Sequence, residues 1–268
     1  MMIALADLYR AEFRTSLATM FQYRAALVIW LISQVLDPVI YLIVWSTVAE
    51  ASGGSVAGYT TGDFAAYFIV LMVVNHLTYT WIMWEYEYRV REGTLSAALL
   101  RPVHPIHADI AENLSSKIVS TPGILVAAVI LGLIFHPTFH FVGWAALAFV
   151  PAVALAFLLR FFVEWTLALA AFWTTRVNAL NQMYFVAMLF LSGQVAPLTL
   201  FPPAVQILAA LLPFRWMISF PLELLLGNLT TQEMLIGFAA QAAWIAIGLV
   251  LLRLVWRAGV RVYSAVSG

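Results

Sequence analysis

The segment YRVREGTLSAALLRPVHP, residues 88–105, gathers three arginines, a glutamate and a glycine between two long apolar runs. The whole chain is 64% hydrophobic and only 10% charged, whereas soluble domains average about 45–50% apolar and about 25% charged residues. The composition therefore predicts an all-α polytopic membrane protein, in which residues 88–105 form a polar connection between two spans.

Charge and cysteine content exclude several function classes. The formal net charge is zero, so no global field favours nucleic acid or an acidic partner. The chain has no cysteine, which excludes disulfides and zinc–thiolate chemistry. Asp7, Arg10, Glu12 and Arg14 make the first twenty residues too polar for a signal-peptide core. We therefore expect the mature chain to keep this N-terminus.

Apolar runs predict the number of membrane crossings. A helix needs about 20 mostly apolar residues to cross roughly 30 Å of hydrocarbon. Six runs meet this requirement: residues 25–49, 64–84, 118–135, 143–173, 179–200 and 234–256. The fourth run contains Pro151 and exceeds one crossing, but it is too short for two crossings and a turn. We interpret it as one long, tilted or kinked helix.

The distribution of basic residues predicts the orientation. The basic residues flanking the spans are Arg10, Arg14, Arg24, Arg89, Arg91, Arg101, Lys117, Arg176, Arg253, Arg257 and Arg261. They fall before the first span, in alternate connections and at the end of the last span, while loops 50–63 and 136–142 have no lysine or arginine. The positive-inside rule then places both termini in the cytoplasm. Arg215, in the outer region 201–233, is the exception.

An amphipathic pattern occupies residues 1–23. The apolar residues spaced four apart are Leu5, Tyr9, Phe13, Leu17 and Phe21. They share one helical face, and Asp7, Arg10 and Arg14 fall on others. This pattern favours a helix that lies in the inner membrane interface. A cytosolic extension of the first span is the alternative.

Prolines divide the apolar region 201–222 into pieces too short to span. They are Pro202, Pro203, Pro213 and Pro221, and each removes a helix hydrogen bond. Irregular backbone at membrane depth survives only where protein or a water-filled cavity satisfies its polar groups. We interpret the region as a re-entrant helical hairpin that enters from outside. A seventh span would instead put the C-terminal arginines outside.

No catalytic or metal-binding motif stands out. The sequence contains neither a GxSxG nucleophile elbow nor an HExxH zinc helix. The pairs His104/His107 and His136/His140 have ligand-like spacing, but each straddles a proline without an obvious third ligand, so we predict no metal site. A P-loop requires GxxxxGK[ST], and the one lysine, Lys117, has no such glycines before it. We therefore predict no catalytic residue and no nucleotide site in this chain.

Polar residues inside spans are candidates for function, because charges cost about 2.5–3.5 kcal/mol at mid-helix on insertion scales. Arg160 and Glu164 stand four apart, a spacing that favours an ion pair. We favour a structural lock over a substrate or proton route for this pair. Asp37 precedes Pro38 and has no partner visible in the sequence. Asn75 and His76 either face other helices or line a pathway.

The opening segment, within residues 86–105, predicts a short amphipathic helix. Leu95, Ala98 and Leu99 share one face, and Gly93 permits a sharp break. Pro102 and Pro105 follow the helix. The helix either docks into a groove on another protein or lies on lipid, and the pattern alone leaves both interpretations open.

Two motifs carry a resemblance to a known family. REGTLSAALLRPVHP resembles the coupling helix of the ABC transporter type-2 permease family, the type V ABC exporters. SGQVAPLTLFPPAVQILAALLPFRWMISFP, residues 192–221, resembles the family's signature before the last span. Its matching positions are Ser192, Gly193, Pro197, Leu198, Phe201, Pro202, Pro213, Phe214 and Pro221. The order of the predicted elements matches the family over essentially the whole chain.

The resemblance implies a permease subunit in a bacterial cytoplasmic membrane, without an ATPase of its own. It implies a second permease subunit, as homodimer or heterodimer, and cytosolic ABC ATPase subunits that hold ATP and Mg²⁺. The implied ATPase-coupling residues are Arg91, Glu92, Gly93, Thr94, Leu95 and Leu99. The implied pathway residues are Asp37, Asn75 and His76. The implied outer gate contains Pro197, Phe201, Pro202, Pro213 and Phe214.

Two other function classes remain open at this stage. A gradient-driven secondary carrier would use Asp37 or Glu164 as a protonatable site, but such carriers usually contain repeated halves, and no repeat is evident. A membrane-embedded enzyme would need a convergent nucleophile and base. Substrate identity does not follow from the sequence.

Overall fold

The computed structural model describes residues 2–140, 142–174 and 177–263, apart from the side chains of residues 2–5 and Arg24. The helices are α1 (Met2–Gln22), α2 (Arg24–Ala51), α3 (Thr61–Thr78), α4 (Ile82–Arg91), α5 (Leu95–Leu99), α6 (Ile106–Phe135), α7 (Gly143–Ala168), α8 (Val177–Leu191), α9 (Pro203–Leu211), α10 (Phe214–Met217), α11 (Ser219–Leu225) and α12 (Thr231–Val262). Strands β1 (Ser55–Val56) and β2 (Tyr59–Thr60) form a small antiparallel hairpin between α2 and α3.

Five helical segments in the described part of the chain are long and apolar enough to cross a membrane. They are Ala25–Ala51, Thr61–Arg91, Ile106–Phe135, Gly143–Phe172 and Thr231–Val262. Each segment overlaps one of the six predicted runs but has different bounds. Together the five segments confirm a polytopic helical membrane protein. The fourth segment is one continuous crossing through Pro151, as the sequence predicted.

The fifth predicted span, residues 179–200, is not confirmed. Helix α8 has 15 residues, which at about 1.5 Å per residue gives about 22 Å, short of roughly 30 Å of hydrocarbon. It ends at Ser192–Gly193, where Gly193 has φ +83° and its carbonyl accepts a 2.7 Å hydrogen bond from the Tyr67 hydroxyl. The apolar residues continue past this turn, so the sequence predicted a helix end at residue 200, whereas α8 ends at Leu191.

The third span begins earlier than predicted, at Ile106 rather than at residue 118. Lys117 therefore lies inside α6, and its prediction as a flanking charge was wrong. Arg89, Arg91 and Arg101 remain around the connection. Arg176 lies outside the described residues, as do the side chains of Leu5 and Arg24.

Helix α1 packs along α6, and its amphipathic pattern reflects this contact. Tyr9, Phe13 and Leu17 are half-buried, whereas Phe21 is exposed. Part of the predicted apolar face therefore covers the protein itself. Placement of α1 in the membrane interface stays a prediction.

Helices α9, α10 and α11 occupy the region that was predicted as a re-entrant hairpin. Helix α9 contacts α8, α10 contacts α7, α8 and α12, and α11 contacts α3 and α7. Gln241 donates 2.9 Å and 3.0 Å hydrogen bonds to the carbonyls of Trp216 and Ala152, which satisfies one carbonyl of the irregular segment. Gln241 lies ten residues after Thr231, or about 15 Å along α12. Trp216 of α10 therefore packs against α12 near Gln241, and a re-entrant hairpin that enters from outside the membrane stays a prediction.

Helix α3 is the centre of the bundle. Residues 64–72 are all buried, and α3 contacts α2, α6, α7 and α11. The second span is not one helix, because the chain leaves helical geometry at Tyr79–Trp81 before α4 begins. This break positions the polar side chains of the candidate site.

Two glycines of α12 test how closely α11 and α7 pack against it. A Cβ at Gly237 would lie 2.0 Å from Cε2 of Phe220 in α11, whereas a Cβ at Gly248 would make an ordinary 3.4 Å contact with Phe162. Gly→Ala gains about 1 kcal/mol of helix propensity, but overpacking a buried site costs about 1–3 kcal/mol. We expect Gly237→Ala to lower the thermal unfolding temperature in detergent and Gly248→Ala to maintain or raise it. Equal shifts would contradict the packing of α11 on α12.

Candidate functional site

The break in the second span is stabilised by the positively charged side chain of Lys117. The backbone of Tyr79 is extended (φ −57°, ψ 140°), and its N–H still donates to the Asn75 carbonyl at 2.7 Å. The Lys117 ammonium donates to the carbonyls of His76, at 3.3 Å, and of Tyr79. A positive charge at a helix C-terminus is favoured by the unpaired carbonyls and the helix dipole. Lys117 of α6 therefore caps α3.

Arg160 and Glu164 of α7 form the ion pair that their spacing predicted. Arg160 Nε lies 2.7 Å from Glu164 Oε1, and the two side chains are only 2% and 1% exposed. Such a pair is tolerated only when its remaining donors and acceptors are also satisfied. The pair is therefore the centre of a larger polar network.

Both Arg160 and Glu164 are hydrogen-bonded to residues outside α7. Arg160 Nη1 donates to Asn75 Oδ1 at 2.9 Å and to Thr78 Oγ1 at 3.3 Å. Glu164 accepts hydrogen bonds from the Tyr184 hydroxyl at 3.0 Å and from the Thr80 hydroxyl. We call this set the polar cluster: Asn75, Thr78, Tyr79, Thr80, Lys117, Arg160, Glu164 and Tyr184. It joins the broken second span to α6, α7 and α8.

A cavity of about 430 Å³ opens beside the polar cluster. It lies between α2, α3, α7 and α8, and its polar lining residues are Ser33, Gln34, Asp37, Tyr41, Asn75, Tyr79, Arg160 and Gln194. The structure thus brings Asp37, Asn75 and Arg160 together. His76 does not line this cavity, because its ring is buried near Ser120 (3.2 Å between Nε2 and Oγ).

The predicted coupling helix over 86–105 is not one helix. Helix α4 ends at Arg91, Gly93 takes φ +71°, and α5 has only five residues. The left-handed conformation at Gly93 interrupts the helix between α4 and α5, and a residue with a Cβ would be strained there. We call residues 91–101 the charged turn.

The residues of the charged turn differ in accessibility. Arg91, Glu92 and Thr94 are exposed, and Leu100 is 87% exposed. Gly93 and Leu99 are partly buried, and Leu95 is fully buried. Leu95 therefore holds the turn from beneath instead of offering its side chain to a partner. The sequence did not predict the exposure of Leu100.

A second buried ion pair fixes the base of the charged turn. Arg89 donates to Asp109 Oδ1 at 2.6 Å and to Glu85 Oε1 at 3.0 Å. Asp109 is fully buried and also accepts from Trp165 Nε1 at 2.9 Å and from the Tyr86 hydroxyl at 3.3 Å. Sequence reasoning missed Asp109. The spacing of Glu85 and Arg89 was the one available signal, since it indicates an i, i+4 pair.

The C-terminal end of α12 supports the other side of the turn. The Tyr263 hydroxyl lies 3.0 Å from Ser96 Oγ and donates to the Gly93 carbonyl at 3.5 Å. The ring of His104 packs on Trp256, with 4.5 Å between centroids, and its Nδ1 accepts the Ile106 N–H at 3.2 Å. Burial lowers the pKa of His104, and His107 lowers it further, so the neutral ring is favoured. The charged turn is therefore held by Tyr263 at the end of α12, and the residues on either side of it, Arg89 and His104, contact α6 and α12.

The predicted outer-gate residues lie in two parts of the chain, and their role as a gate stays a prediction. Phe214 lies against Tyr184 of the polar cluster, with 5.8 Å between ring centroids, and Pro213 opens the same helix. Pro197, Phe201 and Pro202 belong to the connection from α8 to α9, which is tied to Trp45 and the β-hairpin. The ties are Trp45 Nε1 to the Val195 carbonyl, at 2.8 Å, and the Tyr59 hydroxyl to Thr199, at 3.2 Å.

Long apolar helices, a cavity at a broken span and a charged turn describe a polytopic helical membrane domain. The family model described as ABC-2 family transporter protein matches residues 35–267. The chain belongs to the ABC-2 transporter family. Its members are permeases of ABC transporters, so membership implies a cooperating ATPase subunit. No curated protein sequence matches the chain.

The buried pair of the polar cluster is tested by removing one partner. Glu164→Gln leaves the Arg160 charge buried without its counter-ion, and breaking such pairs costs about 3–5 kcal/mol. We expect a large drop in the thermal unfolding temperature in detergent, and a smaller drop in the double variant Arg160→Leu, Glu164→Leu.

The matched control is Glu92→Gln, which makes the same change in the exposed Arg91–Glu92 pair. Exposed pairs contribute about 0–1 kcal/mol, so this variant should unfold near the unmodified temperature. Similar unfolding temperatures for Glu164→Gln and Glu92→Gln would contradict the structural role of the buried pair.

Proposed function

We propose that the chain is the permease subunit of an ATP-driven exporter, paired with a second permease and docked on cytosolic ATPase subunits. The observation that carries the proposal is the charged turn. It presents Arg91, Glu92 and Leu100 at its surface, while Leu95 and the Arg89–Asp109 pair hold it from beneath. An exposed apolar residue beside charges of both signs is typical of a protein contact.

The base of the turn favours docking over a helix that lies on lipid. A helix on lipid needs only an apolar face, whereas this turn is hydrogen-bonded to Tyr263 at the end of α12, and an ion pair joins the preceding α4 to α6. Such a rigid base transmits a push from a partner into the bundle. ATP and Mg²⁺ would bind to that partner, because Lys117 is committed to the carbonyls of His76 and Tyr79.

Helix α4 supplies the path from the turn to the cavity. It has ten residues, about 15 Å at about 1.5 Å per residue, and it runs from the charged turn to the break at Tyr79–Trp81. Beyond the break, Asn75 and Tyr79 line the cavity together with Arg160. A displacement of the turn would therefore reach the cavity wall through one short helix.

The same geometry supports a cytoplasmic location for both termini. Leu8 and Glu12 of α1 line a cleft of about 290 Å³ with Arg101 of the turn, and Tyr263 contacts Ser96. Both ends of the described chain therefore lie beside the turn that would meet the ATPases. The proposed location is the bacterial cytoplasmic membrane, with export as the direction of transport.

The exposed face of α2 supports a second permease subunit. Its large exposed apolar side chains are Ile29, Ile32, Leu36, Ile40, Ile43, Val44 and Val48. Asp37 interrupts this face in mid-span, where a charge facing lipid is costly. A second subunit, identical or different, would cover this part of α2 and close the cavity. A gradient-driven carrier with Asp37 as a protonatable site is the second candidate, because this carboxylate is exposed.

The proposal is tested by breaking the charged turn. Gly93 and Gly54 both have positive φ, +71° and +104°, and a Cβ at either would meet nothing within 4 Å. Proline cannot adopt that φ, so Gly93→Pro breaks the charged turn and Gly54→Pro breaks the loop before the β-hairpin. We expect Gly93→Pro to reduce the ATPase recovered with the chain from native membranes in mild detergent by at least ~10-fold, about 1.4 kcal/mol.

Mass spectrometry identifies the recovered partner, and Gly54→Pro should retain it. Equal recovery and equal ATP hydrolysis for both variants would contradict docking at the charged turn. If no ATPase accompanies the unmodified chain and transport follows a proton gradient, the carrier is the correct class.

A further inference from the structure

We propose that the cavity beside the polar cluster binds organic cations, with the carboxylate of Asp37 as the group that recognises their charge. Transport of such molecules rests on the proposed function, but their binding is a property of this chain. The proposal names a class of amphipathic molecules with one positive charge and an apolar body.

Asp37 carries an unmatched charge. It lies in the middle of α2, a 28-residue helix, and it is exposed to the cavity mouth. Among the described side chains, the ion pairs within 4.0 Å do not include Asp37. A carboxylate at this depth needs a counter-charge or water. A cationic ligand would supply the counter-charge.

The neighbouring backbone adds acceptors rather than donors. Pro38 follows Asp37 inside the helix and has no N–H for the carbonyl of Gln34, one turn earlier. Gln34 also lines the cavity. This wall therefore contains the Asp37 carboxylate and the Gln34 carbonyl, which lacks its helical donor. Both groups favour a positively charged ligand, whether or not that ligand can donate a hydrogen bond.

The opposite wall contains a cationic side chain, Arg160, but this charge is already neutralised and does not attract anions as strongly as Asp37 attracts cations. Arg160 lines the cavity, but Glu164 neutralises its charge at 2.7 Å and Asn75 and Thr78 accept from its Nη1. Lys117 is not a lining residue and is held by two carbonyls on the other side of the break. The described walls therefore carry one unmatched negative charge.

The remaining walls suit an apolar body. Tyr41 and Phe185 offer aromatic rings, and Leu71, Met188 and Leu189 are apolar. Aromatic faces attract organic cations, and a volume of about 430 Å³ falls in the range of small-molecule sites, about 300–1,000 Å³. Val186 of α8 lines the cavity and is exposed, so an amphipath can enter sideways from the bilayer.

The experiment uses two probes of the same shape and opposite charge, tetraphenylphosphonium and tetraphenylborate. The purified chain is placed in lipid nanodiscs, and equilibrium binding of each radiolabelled probe is measured against empty nanodiscs. We expect saturable binding of tetraphenylphosphonium only. Asp37→Asn should weaken it at least ~10-fold, about 1.4 kcal/mol, and Asp37→Glu should restore it.

Glu50→Gln is the matched control, because Glu50 is an exposed carboxylate near the end of the same helix. It should leave binding unchanged. Removing a charge from mid-membrane is not expected to unfold the chain, and size-exclusion profiles verify this for each variant. Equal binding to Asp37→Asn and to the unmodified chain would overturn the proposal, and so would saturable binding of tetraphenylborate.

A third result would also overturn it: Asp37→Asn dissociates a dimer while tetraphenylphosphonium binding is unchanged. Asp37 would then be a counter-ion in the subunit interface. Failure of the proposed function looks different. Binding through Asp37 without any recovered ATPase supports the cation site and contradicts the ATP-driven permease. A recovered ATPase without cation binding supports the ATP-driven permease and contradicts the cation site.

Discussion

The Arg160–Glu164 pair sets the geometry of the rest of the bundle. Two opposite charges in an apolar interior are stable only when their remaining hydrogen-bonding groups are also satisfied. Here Thr78 contacts Arg160 and Thr80 contacts Glu164. Two residues separated by a single position do not share a face in a continuous helix. The break in the second span is what lets both hydroxyls reach the pair.

The break leaves backbone carbonyls at the end of α3 that need hydrogen-bond donors. Once α3 ends at Thr78, its last carbonyls lack helical donors. Lys117 of α6 supplies these donors, and its charge suits a helix C-terminus. Consecutive residues of α7 connect to both ends of α4. Glu164 accepts a hydrogen bond from Thr80, just before α4, and Trp165 donates to Asp109 of α6, which pairs with Arg89 near the end of α4. Helices α4 and α7 are therefore expected to move together.

Much of this fold could be predicted from the sequence, because long apolar runs and the i, i+4 spacing of Arg160 and Glu164 are local signals. Gly93 likewise marked the break before α5. The interruption at Tyr79–Trp81 could not be predicted, because this stretch contains neither proline nor glycine and its geometry depends on α7 and α6. The end of α8 at Gly193 depends on Tyr67, 126 positions away, and the role of Asp109 depends on Trp165, 56 positions away.

The central claim is that a push on the charged turn travels along α4 to the cavity, and that the hydrogen bonds of Thr80 and Tyr184 to Glu164 pass it on to α8. The chain contains no cysteine, so Leu100→Cys and Val186→Cys can be spin-labelled at the turn and at the cavity mouth. Both positions are exposed. The most direct measurement is the distance distribution between these labels, in the complex with its ATPase, with and without trapped nucleotide. The account predicts a shift in the unmodified background that is lost in Thr80→Val. An unchanged shift in Thr80→Val would contradict it.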